Sequence, residues 1–120
     1  MPAQHDSLKE RLPRSREIQI TVTGRTSGRA ITNPVWFIWD EEKLYLLPVE
    51  GSDTQWFKNV LKNPAMRVAV RGAEAEFEAV PIRDAKRVAK VVEKFRGKYG
   101  AKDVKKYYSK FDVAVEVQRR

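Results

Sequence analysis

The chain has no cysteine, a single histidine and no long apolar run, and each absence excludes a class of function. Without cysteine there is no disulfide, thiol nucleophile or thiolate metal site. His5 alone cannot build a His-rich metal centre, and a Ser-His-Asp triad is not expected, so no metal site is predicted. No apolar stretch approaches the ~18–20 residues that span a bilayer, and the polar N-terminus is not a signal peptide. We therefore predict a cytoplasmic protein without a membrane span.

Positive charge is concentrated in one C-terminal stretch. The net charge is +8 over 120 residues, and residues 84–110 carry ten basic and three acidic side chains. Residues 1–83 are nearly balanced, with twelve basic and eleven acidic side chains. The basic segment could attract nucleic acid, an anionic membrane or an acidic small molecule. A well-solvated helix face explains the same charge equally well, so the charge alone does not choose a partner.

The length predicts one domain, with residues 1–16 as an N-terminal extension and residues 17–120 as the folded domain. Alternation of apolar and polar residues predicts six strands, at residues 17–23, 30–39, 43–49, 66–71, 74–82 and 111–117. Pro34 lies inside the second strand and makes part of it an edge or a bulge. Six mostly antiparallel strands in so short a chain indicate a closed or partly open small barrel.

Three helices are predicted between the strands. Asp53 or Thr54 can cap a short helix that ends at Asn63-Pro64. Asp84 caps a long amphipathic helix, and residues 102–109 form a second short one. The apolar face of the long helix carries Val88, Val91, Val92, Phe95 and Tyr99. This order of elements argues against a doubly wound parallel sheet and predicts a mainly β protein of the α+β class.

The fourth and fifth strands are predicted to form a tight hairpin. Gly72-Ala73 suits a type II′ turn, in which glycine takes the first central position. That turn places Arg71 opposite Glu74 and Arg67 opposite Glu78. Both pairs have opposite charges, which supports the predicted register.

The stretch TGRTSGRAITNPVWF, residues 23–37, combines two Gly-Arg pairs with a strand rich in β-branched and aromatic residues. Arg25 and Arg29 flank a Thr-Ser-Gly turn. Two guanidinium groups, two hydroxyls and glycine backbone N–H groups could form an anion-binding concavity. A hairpin turn with solvated arginines is the alternative.

The aromatic residues after this turn predict a strand that is buried on both faces. Alternation puts Trp36 with Ile38 on one face and Phe37 with Trp39 on the other. One face can belong to the core. The other face then needs a partner chain or a ligand to cover it.

Tyrosines accompany the lysines of the basic segment. Tyr107 and Tyr108 could line a substrate pocket and donate a hydrogen bond or a proton to a reduced acceptor, so we take them as candidate catalytic residues. They could equally pack the helices against the barrel.

Residues 17–82 are similar to the deazaflavin (F420)-dependent nitroreductase family. The family belongs to the flavin-binding split-barrel superfamily, which also includes the pyridoxamine-phosphate-oxidase-like enzymes. The resemblance is carried by TGRTSGRAITNPVWF, by LYLLPV and by QWFKNVLKNPAMRVAV. It implies a six-stranded split β-barrel with flanking helices, a homodimer, and a cofactor groove at or near the subunit interface.

The resemblance also implies which residues hold the cofactor. The flavin or deazaflavin ring would lie along the second strand, at Asn33, Pro34, Val35 and Trp36. The phosphate would be held by basic and hydroxyl side chains of nearby turns, which are Arg25, Ser27, Arg29, Thr32, Ser52 and Lys58.

Three positions depart from the pattern expected of deazaflavin-using relatives. Thr26, Ile31 and Glu50 stand at or beside positions where a basic residue is expected. Three charge-assisted phosphate contacts, each worth ~1.5–3 kcal/mol, are thereby lost. FMN has a single phosphate and needs fewer cations, so both coenzyme F420 and FMN remain candidate cofactors.

The function predicted is a flavin- or deazaflavin-dependent oxidoreductase that reduces a small electron-poor acceptor, either a nitro compound or a quinone. Hydride chemistry belongs mainly to such a cofactor, so the missing triads and metal motifs are compatible with an enzyme. Two alternatives remain, a non-catalytic flavin- or deazaflavin-binding protein and a small barrel that binds nucleic acid through residues 84–110. No RNP-like or helix-turn-helix signature supports nucleic acid, which is therefore the less favoured partner.

Overall fold

The computed structural model describes the backbone of residues 2–119 and the side chains of residues 7–119, so the side chain of His5 lies outside the described residues. Four α-helices, two short 3-10 helices (Leu12–Arg14 and Gly51–Asp53) and seven strands occur in this part of the chain. The α-helices are α1 (Pro2–Arg11), α2 (Gln55–Lys62), α3 (Ala85–Tyr99) and α4 (Ala101–Tyr107). The strands are β1 (Ile18–Thr23), β2 (Ala30–Val35), β3 (Phe37–Asp40), β4 (Lys43–Leu46), β5 (Ala65–Val70), β6 (Ala73–Ile82) and β7 (Ala114–Arg119).

All seven strands form one antiparallel sheet in the order β2-β1-β5-β6-β7-β4-β3. The two edge strands, β2 and β3, are consecutive in the chain and are separated only by Trp36. Adjacent Cα atoms are about 3.8 Å apart, so this one-residue link brings the two edges together and curls the sheet. The predicted mainly β, α+β split barrel with flanking helices is confirmed.

The predicted count of six strands is corrected to seven, because residues 30–39 form two strands. Val35 pairs with Ile18 of β1, whereas Phe37 pairs with Leu46 of β4 at the opposite edge. The chain therefore changes hydrogen-bonding partner at Trp36. The edge position predicted for the segment with Pro34 is confirmed, since β2 is the end strand of the sheet.

The predicted register of the β5–β6 hairpin is wrong by two residues. Arg67 lies opposite Glu76, at 2.6 Å from Arg67 Nε to Glu76 Oε2, and Val70 lies opposite Ala73. The turn is centred on Arg71 and Gly72, whose φ angles are +48° and +85°, as a type I′ turn requires. Arg71 tolerates this backbone because its guanidinium donates to Ser15 Oγ at 3.1 Å and to the Arg14 carbonyl at 3.3 Å.

Both faces of strand β3 carry buried side chains, as the alternation predicts. Phe37 and Trp39 pack into the main core inside the barrel, while Trp36 and Ile38 belong to a second core on the outer face. The prediction that this second face needs a partner chain or a ligand is corrected for Ile38, because α3 and α4 cover it. Trp36 remains half-buried.

Helix α3 follows the prediction closely. The Asp84 carboxylate accepts a hydrogen bond from the Arg87 N–H at 3.0 Å, and the five predicted apolar residues are all buried against the second core. Gly100 ends the helix with φ +93°. Among the described helices, none is both long enough and apolar enough to cross a membrane.

The N-terminal segment packs under one end of the barrel. Leu8 of α1 and Leu12 are buried in the main core. Arg11 donates from Nη1 to the Arg71 carbonyl at 3.0 Å, which ties the segment to the β5–β6 turn.

Candidate cofactor and substrate cleft

A cleft of about 530 Å³ opens where the two sheet edges meet. Its walls come from five parts of the fold: the residue before β1, the end of β2, the segment after β4, the first turn of α2, and the end of α4. The lining residues are Glu17, Asn33, Pro34, Val35, Trp36, Leu47, Val49, Thr54, Gln55, Trp56, Tyr107 and Tyr108. Mostly apolar walls with a few polar groups are typical of small-molecule sites.

Trp36 is held in a fixed orientation at the centre of the cleft. Its ring stacks on Tyr99, with centroids 4.1 Å apart and planes 4° from parallel, and meets the edge of Tyr107 at 5.6 Å. One face of the indole is thus occupied by Tyr99. The remaining surface of Trp36 is the part that can contact a ligand in the cleft.

Tyr99 is a structural partner of the site. Its hydroxyl accepts from the Phe37 N–H at 3.0 Å and lies 2.7 Å from the carbonyl of Arg16, to which it can donate. Burial raises the pKa of Tyr99 to about 12. The ring therefore stays neutral and fixes the junction between β2 and β3.

Tyr108 has a buried ring and an accessible hydroxyl. Within the described residues the Tyr108 Oη makes no hydrogen bond to protein. Every fully buried side-chain nitrogen or oxygen in this part of the chain does have a partner, so the Tyr108 Oη is not fully buried. The hydroxyl is therefore partly accessible, and Tyr108 is one of the residues that line the cleft. Burial, followed by the effect of Tyr99, raises the pKa of Tyr108 well above its usual value, so the group keeps its proton.

The Gly-Arg turn is docked beside the cleft by Arg25. Its guanidinium donates to Asn59 Oδ1 and to Gln55 Oε1, both at 2.8 Å, and Gln55 lines the cleft. The turn itself is closed by the Gly28 N–H, which donates to the Gly24 carbonyl at 2.9 Å. Gly28 has φ +72°, a conformation that favours glycine.

The predicted ring-contacting residues and tyrosines are brought together, since Asn33, Pro34, Val35, Trp36, Tyr107 and Tyr108 all line the cleft. The predicted phosphate ligands do not line it, and they fall into two groups. Arg29 and Lys58 have no ion-pair partner among the described residues, and Arg25 and Ser27 share their turn with Arg29. Thr32 and Ser52 are engaged elsewhere, with Thr21 Oγ1 at 2.8 Å and with the Asp112 carboxylate at 2.5 Å.

Several lining residues were missed by sequence analysis. Glu17 precedes β1, Leu47 and Val49 follow β4, and Gln55 begins α2, so no local pattern marks them as neighbours. Trp56, in the first turn of α2, was likewise not assigned to the site. The signal that could have found it is its place in the first turn of a helix beside the aromatic strand.

Lys98 lies behind the cleft and has an unusual environment. Its ammonium donates to the Phe37 carbonyl at 3.0 Å and sits 3.5 Å from the centroid of the Phe37 ring. Burial, followed by repulsion from Arg16, lowers the pKa of Lys98 to about 8 from an ordinary value of 10.5. Folding therefore disfavours the charged form of Lys98 relative to the unfolded chain.

This pKa predicts a pH dependence of stability. Between about pH 8 and about pH 10 the unfolded chain binds more protons at Lys98 than the fold does, so this group makes the free energy of unfolding rise with pH. Urea unfolding across that range should show a smaller rise for Lys98→Met than for the wild type. Lys94→Met is the control, because Lys94 is exposed and paired with Asp40. Equal slopes for the wild type and Lys98→Met would contradict the assignment.

Solved structures of similar fold support the architecture. The F420-H2 dependent reductase FDR-A is 18% identical, with a TM-score of 0.67, and the match covers 86% of this chain and 94% of that chain. A conserved hypothetical protein from Mycobacterium tuberculosis is 16% identical at a TM-score of 0.74, covering 96% and 80%. A structure described as a domain-swapped dimer is 17% identical at 0.68, covering 98% and 100%. The search of curated proteins gave no match.

The family is shown by the sequence itself. The model of the F420H(2)-dependent quinone reductase family matches residues 3–119, which is nearly the whole chain. The chain belongs to this family and is therefore an oxidoreductase of the deazaflavin-dependent group. The resemblance noted in the sequence is thereby confirmed at the level of the family.

Proposed function

We propose that this protein reduces a quinone with reduced coenzyme F420, bound in the cleft around Trp36. The observation that carries the proposal is the cleft itself, which sets a fixed aromatic residue beside an accessible tyrosine hydroxyl. The family is described by the same cofactor and the same class of acceptor. A nitro compound is the second acceptor to test, because it is also a small electron-poor molecule.

The chemistry of the lining fits a deazaflavin. Trp36, Trp56 and Tyr107 offer flat apolar surface to a tricyclic ring, while Asn33 and Gln55 offer amide groups to its polar edge. When bound, the reduced deazaflavin supplies the hydride. The two-electron reduction of a quinone to a hydroquinone needs a hydride and a proton at carbonyl oxygen.

Tyr108 is our candidate for the proton or hydrogen-bond donor. Its hydroxyl is partly accessible and keeps its proton at neutral pH, and Tyr108 lines the cleft, so it can stabilise negative charge that develops on an acceptor oxygen. Tyr107 is 55% exposed at the cleft mouth and is placed to contact the acceptor. The proton given up by Tyr108 is replaced from solvent.

The acidic tail of the cofactor would extend toward the Gly-Arg turn. Arg29 is exposed and free of an ion-pair partner within the described residues, and Arg25 already holds this turn against Gln55. The Ser52 loop is a poor phosphate site, because the Asp112 carboxylate occupies its N–H and its hydroxyl. Arg29 and Lys58 are therefore the side chains that we expect to replace the basic residues missing at Thr26, Ile31 and Glu50.

Fluorescence titration tests the cofactor. We expect coenzyme F420 to bind at micromolar concentration and FMN to bind more weakly. Arg29→Ala should weaken F420 binding about 10-fold or more, since a charge-assisted hydrogen bond contributes about 1.5–3 kcal/mol. Lys86→Ala, an exposed change outside the cleft, should leave binding unchanged. If neither coenzyme F420 nor FMN binds, the proposal is refuted.

Steady-state kinetics tests the role of Tyr108 as the proton or hydrogen-bond donor. Tyr108→Phe should lower kcat for a water-soluble quinone about 100-fold while the Kd for F420 stays the same. Tyr45→Phe is the matched control, because Tyr45 packs on the second core and does not line the cleft. Cofactor binding without turnover of either acceptor class would instead identify a non-catalytic carrier.

We also propose a homodimer in which a second copy covers β2. This edge strand has one unpaired side, and most of its residues are exposed, including Ile31 at 38%. One of the similar structures is described as a domain-swapped dimer. Light scattering should give twice the chain mass, and Ile31→Lys should shift the protein toward the monomer.

A further inference from the structure

Exposed apolar side chains gather at the mouth of the cleft. In the described part of the chain five large apolar side chains are exposed, and three of them lie here: Val49 at 41%, Tyr107 at 55% and Phe111 at 36%. Val49 and Tyr107 line the cleft, and Phe111 stacks on Tyr108 at 6.4 Å between ring centroids. Apolar surface concentrated around one opening marks an interaction surface better than scattered residues do.

Lysines of α4 border this apolar surface. Lys102, Lys105 and Lys106 are exposed and have no ion-pair partner among the described residues, and Lys106 Nζ lies 5.3 Å from the centroid of the Tyr107 ring. Asp53 and Asp112 share one lysine near Phe111, since Lys110 Nζ lies 3.2 Å from Asp53 and 3.7 Å from Asp112. Helix α4 itself carries these three lysines and one acid, Asp103, so its net charge is positive.

We propose that the cleft mouth docks on an anionic lipid bilayer. Tyr107 and Phe111 would lie at the level of the headgroups, where aromatic side chains are favoured, and the α4 lysines would lie over anionic lipids. This inference rests on the proposed function for its purpose, because quinones with long apolar tails reside in the bilayer. A cleft opened toward the lipid would receive such an acceptor without passing it through water.

A bilayer fits this surface better than nucleic acid does. A phosphate backbone would be attracted by the lysines but would gain nothing from Val49. The acyl boundary of a membrane takes up aliphatic and aromatic side chains together. The combination of apolar centre and basic border thus selects the lipid surface.

Vesicle sedimentation without any cofactor tests the docking. The wild type should bind vesicles of phosphatidylglycerol mixed with phosphatidylcholine and should remain unbound with phosphatidylcholine alone. Phe111→Ser should lower the bound fraction, and Lys105→Glu combined with Lys106→Glu should weaken partitioning by at least about fivefold, as expected for loss of basic residues at an anionic surface. Thermal melting checks that each variant remains folded.

Two matched variants serve as controls. Leu61→Ser removes an equally exposed apolar side chain at the far end of α2, and Lys86→Glu with Lys90→Glu makes the same charge change on α3. Both should bind vesicles like the wild type. If the wild type does not bind anionic vesicles, the proposal is overturned. It is also overturned if the double variant of α3 (Lys86→Glu with Lys90→Glu) loses as much binding as the double variant of α4 (Lys105→Glu with Lys106→Glu). Binding of a single-stranded oligonucleotide, but not of vesicles, would assign the surface to nucleic acid instead.

Activity separates this inference from the proposed function. The α4 double variant should reduce a quinone embedded in anionic vesicles more slowly than the wild type, while it reduces a short water-soluble quinone at the same rate. Vesicle binding without reduction of either quinone would refute the proposed function and leave the docking surface standing. Equal rates with both quinones for the wild type and the variant would refute the docking.

Discussion

Trp36→Ala should weaken binding of coenzyme F420 by at least about 30-fold, the largest effect on cofactor affinity that we expect of a single substitution. The change removes the aromatic surface that Tyr99 holds in the cleft, and losing a buried aromatic contact costs about 2 kcal/mol or more. Each 1.4 kcal/mol corresponds to about a tenfold change in Kd. Fluorescence titration of the purified variant measures the effect.

Trp39→Ala is the control for this experiment. Trp39 lies three residues further along the chain but packs against the main core on the opposite face of the sheet. It should lower thermal stability and leave the affinity for F420 nearly unchanged. Wild-type affinity in Trp36→Ala, with lowered affinity in Trp39→Ala, would place the cofactor on the wrong side of the sheet and would refute the assigned site.

The largest effect on stability is expected from Leu8→Ala combined with Leu12→Ala. Both side chains are at most 2% exposed and belong to the main core of the barrel. Each truncation should cost about 2–5 kcal/mol, and a domain of this kind has about 5–15 kcal/mol in total. The double variant should therefore lose much of the stability of the fold, and urea titration followed by circular dichroism should show a strongly lowered midpoint of unfolding.

Leu61→Ala provides the comparison, because Leu61 is 46% exposed on α2. Its midpoint of unfolding should match that of the wild type. If the double variant Leu8→Ala with Leu12→Ala also unfolded at the wild-type midpoint, the prediction would be wrong, and residues 1–16 would contribute nothing to the stability of the domain.

Local patterns predicted the parts of the fold that local physics determines. The apolar face of α3 and its Asp84 cap were found from spacing and capping chemistry, since both depend on residues within one helix. The assignment of Phe37 and Trp39 to one face also followed from strand alternation alone. These features need no knowledge of which elements become neighbours.

The features that sequence analysis missed depend on distant contacts. Sequence analysis placed Gly72 at the first central position of a type II′ turn. In the structure that position is taken by Arg71 at φ +48°, which is stabilised by Ser15 and by the Arg14 carbonyl, far away in the chain. The burial of Leu8 likewise depends on the closed end of the barrel.

The same distinction applies to the candidate site. Asn33 to Trp36 were placed by the resemblance, and they do line the cleft. Thr32 and Ser52 have suitable hydroxyls, but a sequence does not show that Thr21 and Asp112 engage them. Glu17 and Val49 enter the cleft only because the sheet closes.

The one-residue link at Trp36 makes chain length itself a determinant of the site. An inserted residue between β2 and β3 would let the two ends of the sheet separate and would widen the cleft by up to ~3.5 Å. The turn at Glu41 and Glu42 is exposed and joins adjacent strands, so it should accept insertions without moving the cleft. The width of this cleft is thus set by covalent bond geometry, and ligand selection by size is built into the backbone.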